Sequence, residues 1–255
     1  MDEQFKKDLE RFSDLNFETF KALASDASLS RYQKIGFPDL YRSGQEPLIF
    51  QDILNKTSNL EKKDQWVLDI GSGCSDLPHL LIQKCRQNNH NLVMIDSQEM
   101  LNQLDTDYNQ VQKVPGKFPS MPDFVQGAKD KFDVILVYSL AHYIFTDGGL
   151  FQFLDVAISL LKPGGQLLLG DIPNISKRKR FFASSTGVEF HKQFMNTSEP
   201  PKVQVYEVEQ NKIDDGIMLS LFQRYRNFGY ETYILPLRAD LALANRREDL
   251  MIVRP

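Results

Sequence analysis

Cysteine is nearly missing from this chain: two residues, Cys74 and Cys85, among 255. They stand 11 positions apart without the paired spacing of a thiolate metal site, so two free thiols in a reducing compartment are expected. A convincing metal set is lacking too. Asp147 and Asp171 each stand without a neighbouring acid, whereas a hard cation needs several oxygen ligands together, so no metal is expected. Charge of one sign is not in excess. Thirty Lys and Arg against 34 Asp and Glu leave a net charge of -4, which gives no sign of nucleic-acid binding. No apolar run approaches membrane-spanning length. "MDEQFKKDLERF" is charged from its second residue and has no signal-peptide core, so the reading is a soluble, cytoplasmic protein without membrane contact. Internal repeats and low-complexity tracts are absent.

What is present changes character near residue 60. Residues 1–60 read as a helical cap or lid. "EQFKKDLERF" places Phe5, Leu9 and Phe12 on one helical face, and "EPLIFQDILNKT" does the same with Leu48, Ile49, Ile53 and Leu54. Between them "RYQKIGFPDLYRSG" reads as an ordered loop or broken helix. From Trp66, short apolar strands ("WVLDI", "NLVMID", "VQKV", "FDVILVYS", "GQLLLGDI") alternate with helices ("LPHLLIQKC", "SQEMLNQL", "LFQFLDVAISLL"). This alternation predicts a doubly wound, Rossmann-like, mostly parallel sheet, with its ligand beyond the carboxyl ends of the strands. A helical insertion occupies about residues 173–200, and "VQVYEVE" reads as a further strand. The last two strands, "YETYILPL" and "EDLMIVRP", are joined by a stretch too short for a crossover helix. They therefore pair as an antiparallel terminal hairpin, giving seven strands in a core of residues 61–255.

The turn "VLDIGSGCSDLP" raises the question of ligand. A phosphate loop needs Lys followed by Ser or Thr after the glycines, and none follows. A dinucleotide fingerprint needs a small residue where Asp76 stands, and a carboxylate there opposes pyrophosphate at a helix N-terminus. A sulfonium cofactor with a protonated amino group has no such conflict. Asp76 also suits a helix cap. Asp69, at a buried strand end, must be paired, and orders the turn or reaches that amino group. Asp96 closes the second strand 27 residues later, where an acid accepts ribose hydroxyls.

"VLDIGSGCSDLP", "VMIDSQEML", "FDVILVYSLAHYIF" and "LLKPGGQLLLGDIP", in this order over residues 65–172, resemble the core of class I S-adenosylmethionine-dependent methyltransferases. Ser75 departs from the family's third glycine. The resemblance implies S-adenosylmethionine as cofactor, held by Asp69, Gly71, Ser72 and Gly73 on its methionine side. It implies Asp96 on the ribose, Ser97 and Met100 near ribose or adenine, and Tyr138 to His142 facing the reacting methyl group. "KPGG" is a structural turn. The whole chain, with "KIGFPDLYRSGQE" and "GDIPNISKRKRFF", is also similar to bacterial methyltransferases associated with surface-polysaccharide biosynthesis, which implies a sugar-like acceptor.

Methyl transfer is an in-line displacement in which the protein mainly aligns the acceptor, and an oxygen acceptor gains from a base. His142, at the mouth of the fourth strand, is the first candidate base, and His191 on the insertion the second. His79 and His90 lie away from the cleft. Tyr143 and Asp171 are expected against the substrate. The run Lys177 to Arg180 reads either as a solvated helix turn or as an anion clamp through Arg178 and Arg180. Arg31 and Tyr32, with Lys34, Tyr41 and Arg42, belong to a lid over cofactor and substrate.

The expected activity is O-methylation of a small anionic acceptor such as a sugar or sugar nucleotide. N- or O-methylation of another metabolite or natural product is the alternative. A nicotinamide-dependent oxidoreductase with an atypical glycine loop, or a scaffold that keeps the fold without catalysis, are readings of other classes.

Overall fold

The structure, a computed structural model, describes residues 11, 12 and 15–255. Phe5 and Leu9 of the expected first helical face lie outside the described residues. Among the described residues, the α-helices α1 (Phe17–Ser25), α2 (Arg31–Lys34), α3 (Asp39–Arg42) and α4 (Glu46–Lys56) precede the sheet. Side chains fix where they start. Asn16 accepts the N–H groups of Glu18 and Thr19 at the head of α1, and Ser30 caps α2 through the N–H of Gln33. The aromatic and basic stretch between α1 and α4 is thus a broken helix.

Seven strands follow in one sheet of order β3-β2-β1-β4-β5-β7-β6. They are β1 (Trp66–Ile70), β2 (Asn91–Asp96), β3 (Val111–Pro115), β4 (Phe132–Tyr138), β5 (Leu161–Pro173), β6 (Glu231–Pro236) and β7 (Arg247–Val253). β1 to β5 run parallel, and β7 is antiparallel to both β5 and β6. The terminal hairpin is therefore real. "KPGG" falls within the bounds of β5 as an irregularity, where the register against β4 shifts between Phe132 and Val134. The expected strand "VQVYEVE" does not form. Val205, Tyr206 and Val208 are all exposed, and no strand pairs with the segment, so nothing supplies its backbone with a ladder.

Strand alternation splits the core into two layers. Leu68 and Ile70 of β1 face a cluster with Ile135, Val137, Phe153 and Leu154. Val67 faces the opposite layer, with Ile53, Leu81, Met94 and Leu136. α5 (Asp76–Gln87) and α4 cover the second layer. α6 (Gln98–Leu101) and α7 (Pro122–Gly127) follow β2 and β3. α8 (Ala141–Thr146) and α9 (Leu150–Ser159) follow β4. The insertion is two helices, α10 (Ile175–Ala183) and α11 (Ser185–Met195), and α12 (Asp215–Asn227) precedes the hairpin. Cys74 and Cys85 are free and buried, and burial pushes the Cys74 thiol up to about 11. Among the described residues no helix is long and apolar enough to cross a membrane.

Candidate active site

A cavity of about 300 Å³ lies beyond the carboxyl ends of β1, β2 and β4. The glycine turn forms one wall. Gly71 and Gly73 sit at φ +75° and +65°, which L side chains rarely adopt. A Cβ on Gly71 would lie 2.7 Å from Leu140 Cδ2, and one on Gly73 2.8 Å from Ile35 Cγ2. Both positions let backbone approach the cavity where a side chain would intrude, and Ser72 lines it between them.

Asp96 stands across from the turn. Its Oδ2 accepts the Gly73 N–H at 2.8 Å, and its Oδ1 accepts the Ser97 N–H at 2.6 Å. Burial pushes its carboxyl up to about 6, against those two hydrogen bonds. The carboxylate therefore both ties the glycine turn to β2 and lines the cavity with Met100. Ser97 is buried and caps α6, accepting the Met100 N–H at 3.2 Å, so it positions Met100 rather than lining the cavity itself. Asp69 takes a different place from the one expected. Alternation along β1 puts it on the Val67 face, behind the turn, beside a small void of about 30 Å³ with Ser72, Leu77 and Tyr138. Burial raises it to about 7, the Ser72 hydroxyl opposing and the Asp96 charge adding to the rise.

After β4, Tyr138, Ser139, Leu140 and Tyr143 line the cavity. The Tyr138 hydroxyl is buried without a hydrogen-bond partner, and Tyr143 packs edge-on to Phe20 at 4.9 Å between ring centres. His142 is half-buried beside Tyr143, their rings 5.5 Å apart, but outside the cavity wall. Burial, then the charges of Lys212 and Arg247, lower its pKa.

The other expected substrate residues are placed elsewhere. Arg31 pairs with Asp76, and the Tyr32 hydroxyl donates to the same carboxylate at 2.8 Å, so both tie the N-terminal segment to α5 instead of entering the cavity. Ser75, not Asp76, is the N-cap of α5. His191 lies edge-on to Phe182 at 6.3 Å, within the insertion and away from the cavity. The basic run fans out around α10, as helix geometry requires. Lys177 donates to the Arg247 carbonyl, Lys179 to that of Glu207, and Arg180 pairs with Asp215. Arg178 lies 5.6 Å from the Phe182 ring centre.

Asp171, at φ +59°, is an anchor. Its Oδ2 accepts the Ser139 hydroxyl at 2.6 Å, Arg42 Nη2 at 3.0 Å and Arg247 Nη1 at 2.6 Å. Arg42 is almost fully buried, lines the cavity, and stacks 4.2 Å from the Phe37 ring centre; Arg247 lies 5.4 Å from the same ring. Sequence reasoning placed Arg42 only in a lid and missed Glu46, which also lines the cavity. A signal existed. Glu46 and Asp52 share the buried face of α4 with Ile49 and Ile53, and acids on an apolar face need a reason.

Residues 67–165 match the model of a methyltransferase domain. Among solved structures, the chain resembles three enzymes at 13% identity. One is Haemonchus contortus phosphoethanolamine N-methyltransferase 1, in complex with phosphoethanolamine and S-adenosylhomocysteine (TM-score 0.58, 98% of this chain and 50% of that one). Another is the plantazolicin methyltransferase BamL, with a desmethyl substrate analogue and S-adenosylhomocysteine (0.56, 94% and 99%). The third is a SAM-dependent methyltransferase from Aquifex aeolicus (0.51, 95% and 100%). No match was found among curated proteins. At such identity the structural likenesses establish the fold, that of the class I methyltransferases. With the matched domain, they support an enzyme that carries a methyltransferase domain over residues 67–165, in the class I fold, and uses S-adenosylmethionine as cofactor. The glycine turn, with no room for side chains, and the Asp96 carboxylate opposite it fit this cofactor, and the reversed β7 departs from the dinucleotide-binding sheet.

Proposed function

We propose that the enzyme methylates an oxygen of a small anionic acceptor, such as a sugar or sugar nucleotide, in the cytoplasm, within surface-polysaccharide biosynthesis. The observation that carries this reading is the charge beside the cavity. Two guanidiniums, Arg42 and Arg247, share one carboxylate oxygen of Asp171. Next to them Arg246 and Arg178 both lie on the Phe182 ring, at 5.7 and 5.6 Å, with no carboxylate partner among the described residues. Burial, with the neighbouring charges of Arg247 and Arg178, lowers the Arg246 pKa. Such crowding of like charge is unfavourable until an anion joins it, and Arg suits phosphate or carboxylate bidentately.

S-adenosylmethionine supplies an activated methyl group and a good leaving group. The chain aligns the acceptor between Tyr138, Tyr143 and the Phe37 face, with its anionic end on Arg246, Arg247 and Arg178. His142, which lies beside Tyr143 just outside the cavity wall, takes the acceptor's proton when acceptor binding turns it inward. Its lowered pKa keeps the imidazole neutral at pH 7, as a base requires. Residues 15 to about 45 act as a lid.

The test is methylation of acidic sugars, sugar nucleotides and neutral analogues by wild type, Arg247→Lys, Arg246→Ala and His142→Ala. The arginine variants should raise KM for charged acceptors alone. His142→Ala should lower kcat by roughly 100-fold and abolish the decline that wild-type activity shows toward acid pH. Equal turnover of charged and neutral acceptors by wild type would remove the anionic reading.

A further inference from the structure

Glu46 is a buried carboxylate at the cavity wall whose structural contacts use only one of its two oxygens. It opens α4, yet only 1% of it is exposed. One oxygen, Oε2, accepts the Leu77 N–H at 2.5 Å, in the first turn of α5. The other, Oε1, is buried without a hydrogen-bond partner. Burial raises the acid's pKa, while the Ser75 hydroxyl, Arg42 and the Leu77 N–H favour its charged form. Arg42, the cation named there, is already committed to Asp171. Half a buried carboxylate thus stands unsatisfied, and an orphaned charged acceptor is costly unless something completes it.

The position says what completes it. Glu46 lines the cavity together with Gly71, Ser72, Gly73, Ser75 and Leu77, at the end where the glycine turn lies. Asp96, which suits the ribose, borders the same cavity from β2. We infer that Glu46 turns its buried Oε1 into the cavity it lines and there receives the α-ammonium of the cofactor's methionine end as an ion pair. This rests on the assignment of the chain as a class I methyltransferase. It adds a reader from outside the sheet: the N-terminal helices, not the β1 turn alone, recognise the charged end of the cofactor. Asp69, the sequence candidate for that amino group, is on the far side of the turn beside a separate void.

The geometry has a consequence for assembly of the site. Glu46 touches α5 through Leu77 and the cofactor through Oε1, so the ligand would fasten α4 to the glycine turn. A ligand lacking the ammonium would leave that carboxylate as unsatisfied as it is in the free protein.

The experiment is titration calorimetry with two ligands: S-adenosylhomocysteine, and its des-amino analogue in which hydrogen replaces the α-ammonium. Wild type should bind the first at least 10-fold more tightly. Glu46→Gln keeps an acceptor for the Leu77 N–H but removes the charge. It should lose about 10-fold or more for S-adenosylhomocysteine and almost nothing for the des-amino ligand. Glu46→Asp, which keeps the charge on a shorter arm, should retain part of the preference, and serves if the glutamine variant does not fold. An equal loss for both ligands, or none for either, would make Glu46 a buttress of α5 and overturn the inference while leaving the class intact. Failure of wild type to bind S-adenosylhomocysteine at all would overturn the class assignment with it.

Discussion

The Tyr32 hydroxyl donates to Asp76 Oδ2 at 2.8 Å, joining two residues 44 positions apart. With the Arg31 ion pair on the same carboxylate, this contact pins the short helix α2 against the first turn of α5. It would serve the proposed lid as a specific latch, outside the cavity rather than within it.

Breaking the latch should loosen the lid. Tyr32→Phe removes one hydrogen bond to a charged group in a partly exposed place, worth about 1 kcal/mol. Hydrogen exchange across residues 15–45 should speed up in the free variant and slow again on adding S-adenosylhomocysteine. Exchange identical to wild type in both states would show that the segment is held by its apolar contacts alone.

Asp96→Asn should weaken cofactor binding by lost hydrogen bonds to a charged acceptor, about 1.5–3 kcal/mol each. The amide keeps the side chain's shape, but its NH2 must face the N–H of Gly73 or Ser97, so the loss reports the charge together with one of those hydrogen bonds. Because burial sets the free carboxyl at about 6, wild-type affinity should also decline as pH falls through that value. Calorimetry between pH 5 and 8 measures both effects. A flat pH profile would argue against Asp96 as the group that meets the ribose.

Asp69 makes a stability prediction of opposite sign to that of a salt-bridged acid. Its folded pKa is about 7, above an ordinary 3.8. The folded state therefore binds more protons between those values, and its stability falls as pH rises through that window. Below pH 4 the penalty is absent; above pH 7 it is complete. Asp69→Asn removes the titration, so the variant should gain relative to wild type as pH is raised from 5 to 8. Thermal unfolding of the cofactor-free pair tests this, and a constant difference would mean Asp69 is not a strained buried carboxyl.

Arg178 and Arg180 should behave differently although they are neighbours in the basic run. Arg180 is spent on Asp215, and Arg178 shares the Phe182 ring with Arg246. Arg178→Ala should raise KM for an anionic acceptor severalfold, while Arg180→Ala should leave KM unchanged and lower the melting temperature slightly. The reverse ranking would return the anion site to the outer face of α10.

The sequence by itself determined the sheet, because local chemistry repeats there. Short apolar strands, glycines where backbone must turn left-handed, and an acid closing β2 are all short-range signals. They located Gly71, Gly73, Asp96 and Met100 on one cavity. It also implied the reversed β7, since the connection from β6 is too short for a crossover. Partnership across long separations was beyond it. Whether Asp76 caps a helix or latches a lid depended on where Tyr32 arrives. Arg180 and Arg247 each pair with a distant acid, Asp215 and Asp171, and no local pattern announces either pairing. Asp69 moved behind the turn because the pleat of β1 alternates faces. Glu46 gained its importance only when α4 folded against the glycine turn and buried a carboxylate with one oxygen still unpaired.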